Sequence, residues 1–396
     1  MAALSKEAKR LARNAAKDVG LGSVTRAYRK AAKNPVDMRK VLFVESSLPG
    51  PPDSFTLLMD RLAADGGFEC KFVSLGKHRV SAADYLRNCQ ELAREAATAR
   101  FVFLCDASDV VSSFPLRPET RVVQLWHACG AFKRFGMSTA ESGFGLSRAD
   151  IERHPFYENL SLVTVSSPEV AWAYVEAMHL EGRESVVQPL GVSRTDLFFD
   201  EEFLERALRD VYREVPGAVD RRVILYAPTY RGTMGDARAP EPFDIAALAQ
   251  AVGDSCVLLV KQHPMVREKP AIPAGCEDFA FEVSDALPID ELLVASDVLV
   301  TDYSSVIFEF SLLNRPMAFY APDLDEYVDD RDFYYEYGEI TPGPVFRRSS
   351  DLIDHLATLG PVPDTRGVTE FREKFMSACD GHATDRILAW LEGGAR

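Results

Sequence analysis

The chain has 396 residues, 47% of them hydrophobic, with 45 Lys+Arg against 60 Asp+Glu and a formal net charge of −15. That composition excludes disordered and collagen-like classes, and the acidity argues against a general nucleic-acid binder. Seven scattered cysteines without CxxC spacing argue against a disulfide framework or zinc site and fit a reducing cytosol. No run of 18 apolar residues is present to span a bilayer, and no apolar signal core follows Met1, so a cytoplasmic chain of two or three domains is expected.

Charge is unevenly spread. Residues 1–40 hold eleven Lys/Arg against three acids, a net +8, so the remainder carries −23. Within this segment Ala8, Leu11, Ala12, Ala15, Ala16 and Val19 recur at helical spacing, which puts Lys6, Lys9, Arg10, Arg13 and Lys17 on the opposite face. A solvated helix packed weakly on the body fits this pattern. A peripheral anchor fits it too, because each basic residue near an anionic leaflet gains about 1 kcal/mol. An alanine-rich face buries little area, so such binding would be electrostatic and reversible. A nucleic-acid arm is less well served, with no aromatic platform beyond Tyr28.

After Asn34-Pro35, short apolar runs alternate with helical patterns. Strands are predicted at 40–45, 69–75, 100–105, 121–126, 162–166 and 186–190, with helices at 82–97 and 168–178 between them. Continuous apolar strands separated by helices indicate a parallel sheet covered on both faces. The polar, Pro-containing stretch 210–220 reads as a crossing to a second series, with strands at 222–227, 255–261, 279–283, 298–301 and 316–320 and helices ending with 383–391. The predicted fold class is α/β, with two facing Rossmann-like domains and a ligand cleft between them at the carboxyl ends of the strands. The expected division is 1–36 for the basic helical segment, 37–215 for the first domain and 216–396 for the second. The final helix of the second can return to the first.

The segment VLVTDYSSVIFEFSLLN (298–314) runs from a strand through a tight polar turn into a helix. Thr301, Asp302, Ser304 and Ser305 could form an anion site at the helix start, or serve as plain N-caps. Glu309, about a turn on, could reach a ribose; an exposed helix Glu is the plainer explanation. His127 follows RVVQLW, His263 follows VLLVKQ and Arg231 follows a third strand in YAPTYRG. An imidazole at such an edge can take a hydroxyl proton or donate to phosphate, and a guanidinium can fork onto phosphate. Structural histidines and a surface arginine are the plainer alternatives, and the convergence of all three carries the argument. The D-x-D string Asp323-Leu324-Asp325 is weak evidence for a metal in so acidic a chain. No P-loop, G-x-S-x-G or H-E-x-x-H occurs.

Six segments stand in order: WHACGAFKRFG (126–136), YAPTYRG (226–232), VKQHP (260–264), VTDYSSVIFEFSLLNRPMAFY (300–320), DLDEY (323–327) and RDFYYEYGEITPGPV (331–345). Together they resemble the CDP-glycerol glycerophosphotransferase family of bacterial teichoic acid synthesis, over about residues 41–390. The resemblance implies a GT-B fold, with a first, acceptor domain and a second, donor domain. It further implies transfer of glycerol phosphate from CDP-glycerol to a hydroxyl of a lipid-linked teichoic acid or related surface polymer, with release of CMP. CDP-ribitol is the alternative donor, and a GT-B glycosyltransferase using a nucleotide sugar is a more distant one.

By the same resemblance His127 is the base for the acceptor hydroxyl, and His263 and Arg231 are pyrophosphate ligands. Thr301, Asp302, Ser304 and Ser305 hold the donor phosphates, and Gly130 and Lys133 belong to an acceptor loop. Many members read HGTPLK at the first motif where this chain has HACGAFK, so the loop between histidine and lysine differs. No tightly bound metal or cofactor is expected, and Mg²⁺ dependence stays open. An acceptor of this kind lies at the cytoplasmic membrane face, where the basic segment would hold the enzyme against anionic lipid.

Overall fold

The structure, a computed structural model, describes residues 2–140, 146–233, 236–330 and 332–393. Arg331 of the last motif and the side chain of Lys6 lie outside the described residues. By Cα packing the chain forms two compact units. The first comprises Met1–Ala128, Arg134–Arg194 and His382–Arg396; the second comprises Cys129–Lys133 and Thr195–Gly381.

The first unit is built on six parallel strands, β1 (Asp37–Glu45), β2 (Glu69–Ser74), β3 (Ala99–Leu104), β4 (Arg121–Gln124), β5 (Leu162–Thr164) and β6 (Val187–Gln188). Their order is β2-β1-β3-β4-β5-β6, every neighbouring pair parallel. The central strands are apolar on both faces because both are covered, which is why they read as continuous runs. Val41, Phe43, Phe101, Phe103 and Val123 share one core with Phe55, Leu58 and Leu62 of a covering helix, α2 (Asp53–Asp65). The C-terminal helix (Ala383–Gly393) contributes Ile387 and Leu391 to that same core, and its Thr384 hydroxyl lies 2.8 Å from Ser193 Oγ.

The long N-terminal helix α1 (Ala2–Ala31) lies on this unit, and the alanine-rich row is not the face it buries. Asn14, Val24 and Tyr28 are buried, with Tyr28 stacked on Phe114 at 5.1 Å. Asn14 donates to Asp150 (2.6 Å), Lys17 pairs with Asp109 (2.5 Å) and Asp18 accepts from Arg153 (2.5 Å). The row Ala8, Leu11, Ala12, Ala15, Ala16 and Val19 faces outward, Leu11 being 54% and Val19 72% exposed. Packing follows the residues that find specific partners, and alanines have no partners to find.

The second unit repeats the architecture with β7 (Arg222–Tyr226), β8 (Cys256–Val260), β9 (Ala280–Glu282), β10 (Val298–Thr301), β11 (Met317–Tyr320) and β12 (Val345–Phe346). The order is β12-β11-β10-β7-β8-β9, again parallel throughout. β12 is two residues long and was not among the predicted strands, since so short a run carries no periodicity. Ile224, Leu258, Val260, Val298 and Val300 form the core beneath Leu248 and Leu356 of flanking helices. In each unit the short loops after the strands gather at the carboxyl edge of the sheet, where open α/β sheets bind ligands.

Candidate active site

On the first unit three neighbouring strands end in polar residues: Glu45 at the end of β1, Asp106 just past β3 and His127 just past β4. Beyond Gln124 the chain turns through Trp126, which holds a left-handed conformation (φ 62°) uncommon for a bulky residue. The buried Gln124 side chain supports this corner. Its Oε1 accepts from the Trp126 N–H (3.3 Å) and its Nε2 donates to the Asp106 carbonyl (3.0 Å). The Trp126 ring stacks on His127 at 4.4 Å and on Phe135 at 4.7 Å.

His127 Nδ1 lies 3.0 Å from Asp106 Oδ1 and 3.1 Å from the Cys105 carbonyl. Both partners are acceptors, so Nδ1 carries the proton and the Nε2 lone pair is left for a substrate. Burial alone would pull the imidazole down, but the hydrogen bond and charge of Asp106 outweigh it and raise the pKa above its ordinary value. Burial likewise pushes the Asp106 carboxyl up. His127, the Ser46 hydroxyl and the charge of Lys77 reverse this and hold it below the usual carboxylate range.

Ser46 Oγ donates to Asp106 Oδ2 (3.1 Å). Glu45 Oε1 accepts from the Ser47 and Leu48 N–H groups (2.8 and 3.0 Å), and its Oε2 accepts from the Cys105 thiol (2.8 Å). One oxygen or sulfur from each of Glu45, Cys105 and Asp106 lies within 4.8 Å of the others. Burial and Glu45 push the thiol pKa far up, so Cys105 stays a thiol that donates to Glu45, part of a hydrogen-bonded brace behind His127. Neither Asp106 nor Glu45 was singled out from sequence. The available signal was positional: each is a polar residue at or just past the end of an apolar strand, as His127 is.

The second unit gathers the other predicted residues. Thr301 Oγ1 donates to the Ala227 carbonyl (2.6 Å), tying β10 to β7. Asp302 Oδ1 accepts from the N–H groups of Thr229 (2.8 Å) and Tyr303 (2.6 Å). Arg231 Nη2 lies 2.9 Å from Asp302 Oδ2, while its Nε and Nη2 donate to the two oxygens of Asp323 (2.6 and 3.1 Å) and its Nη1 to the Thr229 carbonyl (2.6 Å). Its guanidinium lies over the rings of Tyr303 (5.0 Å) and Tyr327 (5.2 Å). Burial opposes the Arg231 charge, yet the two carboxylates hold it protonated. A cavity of about 310 Å³ opens here, lined by Tyr226, Arg231, Arg238, Asp302, Tyr320 and Asp323 among others.

Asp325, the second acid of the D-x-D string, is forked by Arg347 (2.5 and 2.8 Å). Both acids of that string are thus engaged by guanidinium groups. Ser304 Oγ accepts from the Val306 N–H (3.4 Å), and Ser305 occupies the cap position without a side-chain bond. The helix that follows (Val306–Ser311) has only six residues, so its dipole is short. Glu309 is 2% exposed and is therefore not a plain surface residue of that helix.

His263 Nδ1 accepts from the Met265 N–H (3.2 Å), which assigns its proton to Nε2. Burial, then the positive charge of Lys133, lowers its pKa. Lys133 pairs its backbone with Phe333 and sets its ammonium over the Tyr327 ring at 5.4 Å. Gly130 is left-handed (φ 64°), and a Cβ there would meet Phe308 Cε1 at 2.1 Å. Gly130 and Lys133 therefore sit with His263, Arg231 and Tyr327, whereas Trp126–Ala128 stay with the first unit.

A family model described as CDP-Glycerol:Poly(glycerophosphate) glycerophosphotransferase matches residues 26–393. The chain is 33% identical over 364 residues to the teichoic acid ribitol-phosphate primase of Bacillus spizizenii, covering 90% of this chain and 92% of that protein. It is 31% identical over 278 residues to the teichoic acid glycerol-phosphate primase of Bacillus subtilis, covering 70% and 69%. A solved structure of the wall teichoic acid polymerase TagF (H548A) superposes with a TM-score of 0.76 at 20% identity, covering 99% of this chain and 98% of that one, and shares the fold.

Proposed function

The chain belongs to the CDP-glycerol:poly(glycerophosphate) glycerophosphotransferase family. From that premise we propose that it transfers glycerol phosphate from CDP-glycerol to a hydroxyl of a lipid-linked surface-polymer acceptor. The acceptor oxygen attacks the phosphorus that bears the glycerol, the bond to the CMP oxygen breaks, and CMP leaves. The acceptor proton passes to His127 Nε2. The observation that carries this reading is the tautomer of His127. With Nδ1 committed to Asp106 and Cys105, the outward nitrogen is a base.

On the second unit the donor diphosphate is met by His263 Nε2–H, Lys133 and the turn at Thr301, Asp302, Ser304 and Ser305. Arg231 already gives four hydrogen bonds or ion-pair contacts to protein oxygens. Its main work is to hold Asp302 and Asp323 in place, with its remaining N–H directed to phosphate. Catalysis of this kind rests on positioning and charge stabilisation. A second reading, the same chemistry with CDP-ribitol, is favoured by the similarity to a ribitol-phosphate primase across 90% of the chain.

Among the described residues no helix is long and apolar enough to cross a membrane. The outward row of α1, from Leu11 to Val19, continues into exposed Arg26, Arg29, Lys30 and Lys33. An apolar patch followed by a basic one on a single face supports contact with an anionic membrane surface, where a lipid-linked acceptor resides.

The test is CMP release from CDP-glycerol and from CDP-ribitol with a lipid-linked saccharide acceptor, comparing wild type with His127→Ala. Acceptor-dependent CMP from one donor, abolished in the variant, is the expected result. Absence of CMP from both donors with folded protein would overturn the reading, and equal turnover by the variant would retire His127 as the base.

A further inference from the structure

The loop after β2 joins the His127 cluster through its backbone. The Leu75 N–H donates to the Glu45 carbonyl (2.9 Å) and the Lys77 N–H to the Ser46 carbonyl (2.7 Å). Ser46 in turn bonds Asp106, which holds His127. The loop is tightly wound. Gly76 and His78 are left-handed (φ 67° and 65°), and the Gly76 carbonyl accepts from both Arg79 (2.9 Å) and Val80 (3.1 Å). This winding presents Lys77, His78 and Arg79, three consecutive exposed residues, at the carboxyl edge of the first sheet.

Some surface cations of this unit have carboxylate partners, as Arg61 has Asp385 and Arg87 has Asp84. Among the described residues no carboxylate lies within ion-pair distance of Lys77, His78 or Arg79. The Lys77 charge is nevertheless felt at Asp106, whose carboxyl it helps to lower. A basic loop braced against the base, yet without internal counter-charges, fits an anion that arrives with the substrate.

We propose that Lys77, His78 and Arg79 form a subsite for a phosphate ester of the acceptor, one carried close to the hydroxyl that attacks. The inference rests on the functional reading above and adds to it a selectivity: acceptors ending in a polyol phosphate or bearing a sugar-linked diphosphate are favoured over neutral ones. The loop binds this phosphate while His127 Nε2 takes the proton, and no bond to phosphorus in the loop-bound group is made or broken.

The test uses the full chain and the double variant Lys77→Gln/Arg79→Gln, whose exposed side chains leave the core untouched. Steady-state CMP release is measured with a water-soluble acceptor ending in a polyol phosphate and with its uncharged counterpart. The expected result is a rise of about tenfold in KM for the phosphorylated acceptor, from two exposed charge contacts. KM for the CDP-polyol should be unchanged, as should KM for the uncharged acceptor.

Equal losses with both acceptors, an altered donor KM, or no change would overturn the proposal. Loss of binding to anionic vesicles with acceptor KM unchanged would also overturn it, assigning the loop to lipid headgroups. Should wild type release no CMP, the functional reading fails separately. Calorimetric titration of the phosphorylated acceptor against wild type and variant then decides the subsite: weaker binding by the variant supports it, and equal binding refutes it.

Discussion

Replacing Asp106 by Asn probes the base directly. Asp106 Oδ1 and His127 Nδ1 are 3.0 Å apart, with side chains 39% and 52% exposed. At that exposure a water-like dielectric applies, and the charge interaction is about 1.4 kcal/mol, a factor of about ten in the proton affinity of the imidazole. The sign follows from the raised pKa: His127 must be neutral to act as base, and Asp106 favours its protonated form. Asp106→Asn should therefore move the acid limb of the kcat/KM profile down by about one pH unit. The amide can also present its NH₂ to Nδ1, inverting the tautomer and placing the proton on Nε2. The plateau should then fall about a hundredfold to ten-thousandfold, the range for a lost general base. The assay is CMP release across pH 5 to 9 (roughly the range in which a histidine titrates), with donor binding measured separately. An unmoved acid limb together with an unchanged plateau would refute the arrangement.

Other perturbations follow from the same geometry. Arg231→Ala leaves Asp302 and Asp323 without their shared cation and should cost about 3–5 kcal/mol in urea unfolding, with Arg231→Lys recovering part because an ammonium cannot fork; unchanged stability would dismiss Arg231 as an organiser. Gly130→Ala forces a Cβ onto Phe308, which Phe371 holds at 5.1 Å, at a left-handed position. Strain and overpacking together predict a loss of roughly 2–5 kcal/mol, readable as a lowered unfolding midpoint. Leu11→Glu/Val19→Glu should weaken sedimentation with anionic vesicles while leaving CMP release from a soluble acceptor intact. Truncation of residues 1–36 is a poorer test, because it would also remove buried Val24 and Tyr28. Retained vesicle binding by the double variant would move the membrane contact away from α1.

The sequence by itself determined the two parallel sheets, because strands covered on both faces must be apolar throughout and so appear as uninterrupted runs. It also located the strand ends, and with them His127, His263, Arg231 and the Thr301–Asp302 turn, since a polar residue directly after a buried run falls at the sheet edge. Tertiary structure decided the partners. Asp106 is far from His127 in sequence and meets it only because β3 and β4 are neighbours, and Glu45 reaches Cys105 only because β1 lies beside β3. The fork of Arg231 onto Asp302 and Asp323 depends likewise on the juxtaposition of β7, β10 and β11. Periodicity placed an alanine-rich row on one face of α1 over residues 8–19 but did not fix which side turns inward. That was settled by Asn14, Lys17 and Tyr28 finding partners on the body. The first motif reads as one loop, yet its residues divide between two units, because Phe132 packs among Phe308, Phe333 and Tyr337 while Trp126 packs on Phe135. Local pattern specifies which surfaces must be buried; their complements lie far away in the chain and appear only in the fold.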